Sequence, residues 1–66
     1  MSNLIIEMQR TLATELIVLG QIKDEINESY ATLGNCDEYW YDELRKIEAE
    51  IVESRIALRK LREESL

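Results

Sequence analysis

At 66 residues the chain has room for one domain, and a core this small rarely supplies more than about 3–5 kcal/mol without disulfides, a metal or oligomerisation. A single cysteine, Cys36, excludes an internal disulfide, and the lack of histidine removes the usual structural zinc sets. A net charge of −6 argues against a phosphate backbone or an anionic membrane as partner, while 45% hydrophobic residues argue against a disordered tail.

The first predicted element is a helix from about residue 3 to 33. No signal peptide is expected before it, because Met1-Ser2-Asn3 has no basic region and the following apolar run is broken by Glu7, Gln9 and Arg10. Ile5, Leu12, Leu19, Ile26 and Leu33 recur every seven residues, with Met8 and Ile22 three residues after two of them. That spacing draws a coiled-coil stripe along one face. No apolar stretch approaches the ~20 residues of a transmembrane span. One unpaired thiol fits a reducing compartment, so a cytoplasmic location is expected. Asn27-Glu28-Ser29 matches a glycosylation sequon, which chance explains on a helix in a chain without an export signal.

The chain is punctuated at Leu33-Gly34-Asn35-Cys36-Asp37-Glu38. Gly34 suits the left-handed residue past a helix end. Asn35 and Glu38 have capping-box spacing, and Asp37 and Glu38 put negative charge at the start of a new helix dipole. The turn is therefore placed at 34–35.

A second helix is expected from about 36 to 64. Leu44, Ile51 and Leu58 form one heptad series; Trp40, Ile47 and Leu61 form the other, with Ser54 as its polar member. The two stripes share a register across the turn. In an antiparallel hairpin the position numbers of facing residues have a constant total. Tyr30 with Trp40, Ile26 with Leu44, Leu19 with Ile51 and Leu12 with Leu58 satisfy this, with Leu16 opposite Ser54. Ile22 with Ile47 and Met8 with Leu61 follow within one residue. The expected fold is all-α: one antiparallel two-helix hairpin domain over residues 1–66, coiled-coil-like.

That seam leaves apolar residues over. Leu16-Ile17-Val18-Leu19-Gly20 is apolar around the whole helix, and Leu4, Ile6 and Ala13 lie off the stripe, as do Ala49, Val52 and Ile56 on the second helix. A helix that is apolar all round is normally buried on more than one side. The expected interface residues are Leu4, Ile6, Ala13, Ile17, Val18, Gly20, Ala49, Val52 and Ile56. They would pair with a second copy of the hairpin in a homodimeric four-helix bundle; scattered surface apolars are the plainer alternative. Tyr30, Tyr39, Trp40 and Tyr41 cluster at the turn. They either plug the end of the hairpin or supply a docking surface for a larger protein.

The residues for chemistry are sparse. No imidazole base is present, and Cys36 has acidic neighbours that oppose a thiolate. Glu38 and Asp42 stand four apart without further ligands, and no calcium-binding or phosphate loop is present. No catalytic, cofactor or metal site is expected. Six of the eight basic residues fall on the second helix, including Arg55, Arg59 and Arg62 on one face; salt bridging and dipole compensation account for them. The chain therefore reads as a non-catalytic interaction module that dimerises and binds a larger protein to regulate or inhibit it, as small stand-alone and phage-encoded chains often do. The alternatives are a structural subunit or assembly chaperone of a helical complex and, more remotely, nucleic-acid binding or mimicry.

Overall fold

The computed structural model of the protein describes residues 2–64. Two helices make up the fold, α1 over Ser2–Leu33 and α2 over Glu38–Glu64, packed against each other along their lengths as a helical hairpin. The molecule measures 51 × 14 × 13 Å. Its radius of gyration, 15.3 Å, exceeds the roughly 11 Å of a compact chain of this length. Among the described residues no helix is long and apolar enough to cross a membrane.

The turn occupies residues 34–37. Gly34 has φ +76°, the left-handed conformation that glycine adopts without a Cβ clash, and its N–H donates to the Tyr30 carbonyl at 3.0 Å, closing α1. The cap of α2 differs from expectation. Asp37, not Asn35, is the capping residue: its carboxylate accepts from the Tyr39 N–H at 3.0 Å, and its carbonyl from the Trp40 N–H at 3.1 Å. Helix α2 accordingly starts at Glu38, two residues later than the periodicity alone suggested. A carboxylate at that position both satisfies an orphan donor and meets the positive end of the helix dipole.

Ile22, Ile26, Ile47 and Ile51 form the buried cluster, with Leu12, Val18, Leu19, Cys36, Trp40, Tyr41 and Leu44 packed against it. Leu58 continues the buried row toward the open end. β-branched isoleucines at these seam positions fill the hairpin at three successive levels, Ile26 with Leu44, Ile22 with Ile47 and Ile51 with Leu19.

Three residues depart from the expected register, for two reasons. Leu16 is not opposite Ser54, because a seven-residue step from Met8 lands on Glu15. Ser54 Oγ donates to Glu15 Oε1 at 2.6 Å, and Leu16 is displaced to the flank. The same one-residue offset moves Tyr30 off the seam and leaves Ser29, half-buried, at the level of Trp40. Leu33, the last member of the first heptad series, is 74% exposed. It stands on the final turn of α1, beyond the first residue of α2 that could face it, and Cys36 packs against the core instead.

The hairpin buries little for its size. No described side chain is wholly sealed from solvent, and the surface totals 5224 Å². A compact protein of 7.8 kDa exposes about 4,400 Å².

Candidate interaction surfaces

Assigning heptad positions from the buried residues organises the whole surface. On α1 the core positions are Ile5, Met8, Leu12, Glu15, Leu19, Ile22, Ile26 and Ser29; on α2 they are Trp40, Leu44, Ile47, Ile51, Ser54, Leu58 and Leu61. In an antiparallel pair, the residues after the second core position of each heptad line one lateral side, and those before the first line the other. The two sides of this hairpin differ in kind.

One side is apolar with a cationic margin. It carries Ile6, Ala13, Leu16 and Gly20 from α1 and Val52 from α2, with Lys23 and Arg45 toward the turn; of the other residues expected at this surface, Ile17 on α1 and Ala49 and Ile56 on α2 stand opposite the seam, facing outward from their own helices. Ile17 is 62% exposed, Val52 54% and Ile56 48%. A shallow groove lined by Leu16, Leu19, Glu48, Ile51, Val52 and Arg55 runs between the helices on this side. A second groove continues to the open end, where Arg55, Arg59 and Arg62 surround Leu12 and Leu58. Salt bridging was expected for these arginines. Among the described residues the ion pairs are instead Arg45 with Asp42 and Lys46 with Glu43, both one helical turn apart on α2.

The opposite side is acidic. Glu7, Glu25 and Glu28 on α1 and Glu43, Glu50 and Glu53 on α2 share it with Lys46 and Lys60. Its groove is lined by Thr14, Glu15, Val18, Ile22, Glu43, Lys46, Ile47 and Glu50. Two residues expected at the self-association surface belong here by their heptad phase. Val18 is half-buried and packs on the hairpin's own core, and Leu4 is exposed near the start of α1.

The four aromatic residues near the turn divide between the two sides. Tyr39 stacks edge-on against Trp40, with ring centroids 5.1 Å apart, and both line a notch with Val18, Gln21, Glu25 and Glu43 on the acidic side. Tyr30 and Tyr41 stand on the other side, their hydroxyls hydrogen-bonded across the helices at 2.5 Å. That bond, with partial burial and the neighbouring Tyr30 and Cys36 groups, pushes the Tyr41 phenol from 10.0 up to about 12. The hydrogen bond with Tyr30 favours the protonated Tyr41 phenol. Trp40 thus anchors the seam while Tyr39 remains 57% exposed.

The carboxylates stay dispersed: among the described residues no three His, Cys, Asp or Glu side chains converge on a metal-sized site. Glu15 is the polar seam residue that heptad reading passed over. Stepping seven residues from Met8 and from Ile22 would have found it. No family model matches the chain, and neither a curated protein nor a solved structure does.

Proposed function

We propose that the chain is a non-catalytic protein–protein interaction module of the cytoplasm. It pairs with a second copy of itself through the apolar side, forming a four-helix bundle. It then binds a larger protein through the turn, where Tyr39 and Trp40 open toward the acidic side, and so regulates or inhibits that protein. The observation that carries this reading is that Leu16, Ile17, Val52 and Ile56 stand exposed around the middle of a hairpin whose own core is thin. Single surface apolar residues are ordinary, but four large ones at one level of so short a hairpin leave more apolar surface than its own core covers, which favours association.

Two variants separate the roles. Ile56→Glu should fall to monomer mass while keeping its helical circular dichroism. Tyr39→Ala with Tyr41→Ala should keep the dimer mass but lose the protein that the wild-type chain retains from its native host. If the double variant holds that protein as well as wild type does, the turn is not the docking site. If the purified wild-type chain precipitates unless its host complex is supplied, the chain is an obligate structural subunit instead.

A further inference from the structure

The two sides of the hairpin treat facing charges differently. On the apolar side, residues that directly follow a core position meet across the helices, as the bonded Tyr30 and Tyr41 do. Seven residues further from the turn, the same register sets Lys23 level with Glu48, opposite in sign. On the acidic side, residues that directly precede a core position meet instead, and Val18 and Glu50 line one groove there. Seven residues nearer the turn, that register sets Glu25 level with Glu43, and both line the notch beside Tyr39 and Trp40. Two carboxylates level with each other repel. Lys46 stands 3.5 Å from Glu43 Oε1 but is not among the residues lining the notch. Among the described residues Glu25 has no ion-pair partner. The notch itself holds about 490 Å³, within the range of ligand clefts. Val18 and Ile22 give it an apolar floor, and Tyr39 and Trp40 wall it with rings inclined at 77°. Ring faces attract cations, and more strongly where water is partly excluded.

We propose that this notch receives an arginine side chain from a basic segment of the protein that docks at the turn. The proposal rests on the docking role given above to Tyr39 and Trp40, and it names the chemistry they recognise. A guanidinium is planar, stacks on aromatic faces and forks onto carboxylates. Glu25 and Glu43 supply the carboxylates, since Lys46 takes only one of the two oxygens of Glu43. The arriving charge also relieves the repulsion between them. Beyond the notch the acidic side continues through Glu28, Glu50 and Glu53, a length of negative surface that suits a basic segment better than a single small cation.

Trp40 is the sole tryptophan of the chain, so its fluorescence reads the notch. The wild-type chain is titrated with a helical alanine-based peptide carrying arginines one turn apart, with the same peptide carrying citrulline, and with tetramethylammonium. The arginine peptide should shift the Trp40 emission saturably. Citrulline keeps the shape without the charge, and its peptide should not. Glu25→Gln should weaken binding of the arginine peptide about tenfold, while the melting temperature holds or rises because one of two facing like charges is gone. Glu53→Gln, on the same side but outside the notch, should change binding by less than about twofold. Equal losses in the two variants would mean diffuse attraction and overturn the notch. A response to tetramethylammonium at lower concentration than to the peptide would assign the notch to a small cation and likewise overturn the proposal. No saturable response to the arginine peptide overturns arginine recognition alone. The docking role of the turn fails separately, if the chain with Tyr39→Ala and Tyr41→Ala still retains its host protein.

Discussion

Replacing Ser54 by alanine should destabilise the hairpin although it removes a single oxygen. Ser54 is the buried polar residue of the seam, and its hydroxyl donates to the half-buried Glu15 carboxylate at 2.6 Å. A hydrogen bond to a charged group contributes about 1.5–3 kcal/mol when buried. Glu15 keeps part of its hydration, so about 1–1.5 kcal/mol is the expected loss. In a chain this size that lowers the melting temperature by about 5–10 °C. Glu15→Leu combined with Ser54→Ala should behave oppositely. It removes both polar partners and extends the leucine–isoleucine seam, whose burial is worth up to about 1.5–3 kcal/mol. The double variant should match or exceed wild-type stability, with a coupling between the two sites of at least about 1 kcal/mol. The assay is urea and thermal unfolding followed by circular dichroism. Chain concentration must be fixed, because association adds to apparent stability. Simple additivity of the two substitutions, or an unchanged melting temperature in Ser54→Ala, would refute the polar layer as an energetic unit.

Gly20→Ala should stabilise the isolated helix by up to about 1 kcal/mol yet weaken self-association, visible as a lower melting temperature at high concentration and a higher one at low concentration. Asp37→Ala should cost about 1 kcal/mol through loss of the α2 cap, while Asn35→Ala should be near neutral in the same denaturation series. Tyr41 ties turn stability to pH. Its pKa is raised on folding, to about 12, so its contribution is fully present below pH 10 and is lost as pH rises toward 12. Near-ultraviolet titration should show one late-ionising tyrosine that moves back toward 10 in Tyr30→Phe.

The helices and their partnering were legible because hydrophobic periodicity is a property of sequence alone. Their spacing alone puts Ile22, Ile26, Ile47 and Ile51 on the seam, and Gly34 marks the turn. The misplacements share a cause. Reading apolar residues as core and polar ones as surface passed over Glu15 and promoted Leu16, though strict heptad stepping selects Glu15. Apolarity likewise favours Tyr30 for the seam, where the small Ser29 stands. At the turn, two candidate caps were close in sequence, and only the backbone geometry decides for Asp37. The surplus apolar residues could be recognised but not sorted, because their division into two lateral sides follows from the exact core phase. Once Glu15 is in the seam, Leu16, Gly20 and Val52 fall on one side, Ile17 and Ile56 face outward from their own helices, and Val18 turns inward.

Self-association requires that the exposed apolar residues be covered in solution. Sedimentation equilibrium of the wild-type chain beside Ile17→Glu addresses this directly. Two 7.8 kDa chains travelling as one particle, reduced to a single chain by the substitution, is the expected result. A wild-type chain that sediments as a monomer across micromolar concentrations, indistinguishable from Ile17→Glu in mass and melting, would contradict it.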